Sequence, residues 1–106
     1  EVSTNKQVNI SIDVITKVVC DFYNVDENKV REKNRRKEVV LARQIAMYLS
    51  KTLTKSSLKT IGLHFGGRDH STVIHACTCI EELIQTDPKL KETIDYLKNK
   101  IEMSSS

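Results

Sequence analysis

Apolar positions recur three and four residues apart along nearly the whole chain, and no stretch sustains the alternation of a strand. This pattern predicts an all-α domain of six helices. Ser11 can cap a first helix with the apolar stripe Ile12, Ile15, Val19 and Phe22, and Asp26 a short second helix ending near Arg31. A third helix over about 38–53 carries Val39, Ala42, Ala46, Leu49 and Leu53 on one face and Gln44, Met47 and Lys51 on another. Ser56 or Ser57 can cap a fourth, with Leu58, Ile61 and Phe65, which Gly66-Gly67 would end. The fifth is expected from about Asp69 to Thr86. Pro88 suits the first turn of a sixth, with the stripe Leu90, Ile94, Leu97 and Ile101. Residues 1–9 read as a linker remnant, 10–103 as the domain and 104–106 as a tail.

A chain of 106 residues, 39% hydrophobic and 29% charged, has the size and composition of one folded domain with a modest core. No apolar run approaches the roughly 20 residues that span a bilayer. The chain starts at Glu1 with no signal peptide and reads as a piece of a longer cytoplasmic protein. Cys20, Cys77 and Cys79 are an odd number for a disulfide framework and are expected to be reduced packing thiols. Cys77 and Cys79 lack the second paired motif of a zinc site.

Charge changes the picture more. The net charge is only +3, but residues 29–68 hold eleven Lys and Arg against Glu32 and Glu38, and the rest of the chain is net acidic. Five of those bases fall in REKNRRK (31–37), which has no apolar anchor and reads as an exposed loop. Segregated charge of this kind suits a polyanionic partner, although lysines that merely solvate a helical surface give a similar count.

The candidate chemistry lies in GGRDHSTVIHA (66–76). At about 100° per residue, Val73, Cys77, Ile80 and Ile84 share one stripe of the fifth helix. Ser71, His75, Thr78 and Glu82 fall on the opposite side, so His75 faces away from the core. Asp-His-Ser in consecutive positions is no catalytic triad, because adjacent helical residues fan apart instead of converging. His70 and His75 lie about 140° apart around the helix, which is poor geometry for a shared metal. The glycines lack the spacing and the lysine of a phosphate loop. An enzyme is therefore not expected. A short helix, a tight glycine turn and a second helix with a polar tip make a helix-turn-helix, whose second helix can enter the DNA major groove.

The same stretch closely resembles the signature of the C-terminal, DnaA-box-binding domain of bacterial replication initiators, the DnaA family. The resemblance covers essentially residues 10–103, including NISIDVITKVVCDFY, the basic loop and ARQIAMYL. It implies a Trp-repressor-like helix-turn-helix that binds duplex DnaA boxes at the replication origin. By position, Arg35 matches the family's minor-groove arginine, and Asp69, His70, Ser71 and His75 match its major-groove base readers. Thr72, Gln44 and Lys51 match phosphate contacts, as do the amides opening the fourth helix around Leu58. Lys33, Arg36, Lys37 and Arg43 are either further phosphate contacts or bulk positive charge, and Asp69 is either a base contact or only a cap. ATP, magnesium and the ATPase domain would belong to the longer parent, as would any contact with acidic phospholipid. The fragment itself is expected to need no cofactor and to be monomeric.

Three departures from the family pattern stand out. Ser71 lacks the methyl of the usual threonine, an expected loss below the roughly 1–3 kcal/mol of a good bidentate base contact. Ala42 stands where many members have proline, and Asn34 replaces a basic residue. Two other classes fit the residues alone. One is an unrelated helix-turn-helix regulator bound as a dimer to a palindrome. The other is a module whose basic face meets an acidic protein or anionic lipid.

Overall fold

The computed structural model describes residues 10–104. Six helices follow in order: α1 (Ile12–Tyr23), α2 (Glu27–Arg31), α3 (Lys37–Leu53), α4 (Leu58–His64), α5 (His70–Thr86) and α6 (Pro88–Ser104). The described residues contain no strand. The linker remnant at 1–9, like residues 105–106, lies outside them. Ser104, expected in the tail, instead closes α6, since nothing after Ile101 breaks a helix.

Most helix starts are capped by a side chain. Ser11 Oγ accepts from the Val14 amide at 3.2 Å and Asp26 Oδ1 from the Asn28 amide at 2.9 Å. Of the two serines before α4, Ser57 is the cap, with its Oγ 3.1 Å from the Thr60 amide. Such caps each stabilise a helix by about 1 kcal/mol. Asn24, left-handed at φ 56°, ends α1.

The core forms around α3, which packs against α1, α2, α4 and α5. Ile15, Val19, Ala42, Ala46, Leu49, Ile61, Phe65, Val73, Ile80, Ile94, Leu97 and Ile101 are all buried, as their stripes predict. Two expectations fail for packing reasons. Met47, placed apart from the apolar stripe on a second face with Gln44 and Lys51, is fully buried, because a central helix is covered on more than one side. Phe22, assigned to the buried stripe of α1, is 46% exposed. Its ring meets Tyr23 at 4.9 Å and Tyr96 of α6 at 5.6 Å, at the edge of the α1–α6 contact.

The connection from α4 to α5 is made by backbone. The Gly62 carbonyl accepts from the Gly67 amide at 3.1 Å and the Arg68 amide at 2.9 Å, folding the chain back on itself. The fold-back leaves no room at Gly62, where a Cβ would stand 2.1 Å from the Arg68 carbonyl oxygen. Gly66 adopts φ +91°, and a Cβ there would stand 2.2 Å from the Arg31 carbonyl oxygen. Thus the turn packs against the end of α2 as well as against α4.

A polar junction ties α1, α2 and α4 together. His64 Nε2 lies 3.3 Å from Arg31 Nη2, 3.4 Å from Asp13 Oδ1 and 3.5 Å from Thr16 Oγ1. Burial, reinforced by the Arg31 charge, holds His64 below the ordinary imidazole range and outweighs the opposite pull of Asp13. The downward shift favours the neutral imidazole over an imidazolium paired with Asp13.

Two outcomes follow. Gly62→Ala should lower unfolding stability by about 3 kcal/mol, since the methyl meets backbone that cannot yield. Urea midpoints measure this, with Gly67→Ala as a milder control whose added Cβ meets nothing and adds only left-handed strain of about 1–2 kcal/mol. The second concerns pH. A folded-state imidazole held below its unfolded value of 6.5 binds fewer protons than the unfolded chain, so stability is lost as pH falls through 6.5 toward the depressed value. His64→Gln should flatten that part of a stability–pH profile.

Candidate nucleic-acid interface

The tip of α5 is built by Asp69. Its Oδ1 accepts from both the Thr72 amide and the Thr72 hydroxyl, each at 3.1 Å. These bonds hold the carboxyl below the ordinary aspartate range. Asp69 is thus the N-cap of α5, and with both bonds on one oxygen its second oxygen keeps acceptor capacity. The Thr72 hydroxyl proton is committed to the cap, so a phosphate contact by Thr72 requires its hydroxyl to turn.

From that cap, α5 lays its apolar back on the core. Val73, Ala76, Cys77 and Ile80 are buried, and Ile84 is half-buried. His70, Ser71, Thr72, His75, Thr78 and Glu82 are all exposed. Ser71 and His75 therefore project into solvent from the flank remote from the core, as the wheel predicts. The His75 ring lies beside Cys79, with Nε2 3.5 Å from its Sγ.

Helices on both sides frame this outer flank. On one side, Gln44 of α3 shares a shallow cleft with Cys79, Glu82, Leu83 and Thr86. Further along α3, exposed Lys51 acts electrostatically on Cys77, partly opposing the burial that raises that thiol. On the other side, Lys59 and Leu63 of α4 line an open hollow with Arg68, Asp69 and His70. Leu58, at the start of α4, is half-buried against the core. Its amide lies in the first turn, where helix geometry supplies no internal carbonyl.

The basic loop spans residues 32–36 between α2 and α3, with Lys33, Arg35 and Arg36 exposed beside Lys37 of α3. Asn34 shapes it, since its side chain accepts from the Arg36 amide at 3.0 Å. Arg43 is placed differently from a freely available cation. Its Nε donates to the Val30 carbonyl at 2.9 Å, and its Nη2 to those of Glu32 and Asn34 at 3.0 Å each. Arg68 reaches the same loop, donating from Nη2 to the Glu32 carbonyl at 2.8 Å and from Nη1 to the Phe65 carbonyl. The loop is thereby joined to the glycine turn immediately before α5. No side chain caps α3, so Arg36 and Lys37 stand at a positive helix end. Positive charge gathered there favours an anionic ligand over a neutral one.

The sequence reading overlooked three surface side chains. Arg68 lies inside the motif, but letters do not show its reach to Glu32. Leu63 (63% exposed) and Ile74 (45%) have the composition of core residues and face solvent beside the polar flank. Among the described residues, no group of His, Cys, Asp or Glu is arranged to hold a metal ion. Cys20 is buried, and burial pushes its thiol up to about 11, leaving it a packing residue.

The family model for the bacterial DnaA protein helix-turn-helix matches residues 12–80. Over 96 residues the chain is 49% identical to the chromosomal replication initiator protein DnaA of Chlorobaculum tepidum, covering 91% of this chain and 20% of that protein. The same-named protein of Limosilactobacillus reuteri is 50% identical over 92 residues, 87% of this chain and 21% of its own length. A crystal structure of a DNA replication initiation factor aligns with a TM-score of 0.77 and 30% identity, covering 90% of this chain and 30% of that one. The chain thus spans about a fifth of these curated relatives. The match takes in the caps of α2, α4 and α5, the glycine turn and most of α5, and the chain belongs to the helix-turn-helix domain family of bacterial DnaA proteins.

Proposed function

We propose that this chain binds double-stranded DNA sequence-specifically at DnaA boxes and serves initiation of chromosomal replication. The observation that carries the reading is the exposure of Ser71 and His75 together on α5, opposite its buried back and beside a basic loop. In this reading α5 enters the major groove. His70, Ser71 and His75 meet base edges there, and the second Asp69 oxygen is available to accept from a cytosine amino group.

Arg35, exposed on the loop, enters the adjacent minor groove, where narrow A·T-rich sequence attracts arginine. Lys33, Arg36, Lys37, Gln44 and Lys51, with the amide of Leu58, meet phosphates and set register. Thr72 joins them if its hydroxyl turns from Asp69. Arg43 has two of its three nitrogens committed to carbonyls, so only Nη1 remains for a phosphate. ATP and magnesium chemistry, strand opening and any contact with acidic phospholipid would reside in the remainder of a longer parent, which this domain would seat on DNA in the cytoplasm.

A mobility shift comparing a box-containing duplex with a scrambled one at physiological salt tests the reading, and equal affinity for the two overturns it. His75→Ala should cost about 1–3 kcal/mol on the box while leaving nonspecific affinity nearly unchanged. An equal loss on both duplexes would remove base reading from His75. Lys51→Ala should weaken all sequences alike and reduce the salt slope by about one, as measured by titration across salt concentrations.

A further inference from the structure

Two of the domain's arginines point inward, and both address the backbone of the basic loop. The carbonyls of Val30, Glu32 and Asn34, two residues apart, all accept from the single guanidinium of Arg43. The middle one, Glu32, also accepts from Arg68, which directly precedes the cap of α5. Burial holds both arginines below their ordinary range, and Arg68 adds to the effect on Arg43. Two like charges thus approach one carbonyl in a partly desolvated place. Their mutual repulsion opposes the arrangement, so its donor geometry is what maintains it. A planar fork can serve several fixed acceptors at once, whereas a lysine ammonium offers one compact point charge.

We propose that Arg43 and Arg68, meeting at the Glu32 carbonyl, are positioning residues that hold the basic loop at a fixed distance from the start of α5. Arg35 and α5 then read a DNA site of one set length. The inference rests on the two-groove reading above and deepens it. Sequence preference at the minor-groove end of the site depends on Arg35, and Arg35 depends on two residues that need touch no base. The loop contains no apolar anchor of its own, so its carbonyls are the handle by which the rest of the domain places it.

A double-mutant cycle on box-containing duplex tests this. Arg68→Lys keeps the charge and loses the fork. It should weaken box binding about tenfold, with less than about a twofold effect on scrambled duplex. In an Arg35→Ala background the same change should cost less than about twofold, because the group it positions is gone. Arg43→Lys, which leaves the Arg68 bonds in place, should show the same dependence on Arg35. Additive losses in both cycles overturn the proposal, as does an equal loss on scrambled duplex.

The unaltered protein supplies a measurement independent of variant folding. A box with one base pair inserted between the minor-groove and major-groove ends should bind the unaltered protein no better than the intact box binds Arg35→Ala. Full affinity for the lengthened box overturns the fixed length. His75→Ala separates the two readings: loss of box preference there with additive Arg68 and Arg35 effects rejects only the positioning role. No effect of His75→Ala on preference instead counts against sequence reading by α5.

Discussion

The Gly62 backbone lies against the Arg68 carbonyl so closely that no side chain fits between them, and the layout of the candidate interface depends on that approach. It brings the end of α4 over the start of α5, directs Val73 into the core and leaves Asp69 at the surface to begin a new helix. A wider turn would swing α5 away from α3 and separate its polar flank from Gln44 and Lys51. Gly66 extends the same constraint to α2 through the Arg31 carbonyl. Short-range backbone contact in one turn therefore governs the placement of three helices and a loop.

Electrostatics then divides the arginines and lysines by task. Lys33, Arg35, Arg36, Lys37 and Lys51 face solvent and provide a field that an anionic polymer would feel at a distance. Arg43, Arg68 and Arg31 turn toward carbonyls or the His64 junction and are partly withdrawn from water. The second group contributes geometry more than attraction. A charge count over residues 29–68 treats the two groups alike, and only their hydrogen bonds separate them.

Much of the fold was legible because its signals are local. Ser11, Asp26, Ser57 and Asp69 cap helices by reaching amides two or three residues ahead, and such spacing is visible in the letters. The exposed flank of α5 was legible for the same reason, since Val73, Cys77 and Ile80 define its buried side. What failed depended on neighbours far along the chain. Met47 is buried because four helices surround α3, and Phe22 is exposed because the end of α1 meets only part of α6. The reach of Arg68 to Glu32, across 36 positions, leaves no periodic trace. The resemblance supplied Arg35 as a candidate, since nothing in its neighbours' chemistry distinguishes it.

The two hydrogen bonds that Thr72 donates to Asp69 bear on how the tip of α5 would meet a partner. The first turn of α5 is helical and capped with no partner present, so binding would not have to fix it. A helix tip prepared in this way would meet successive DNA surfaces without having to fold on each one. In the proposed reading, such a tip would serve scanning along DNA as well as final capture.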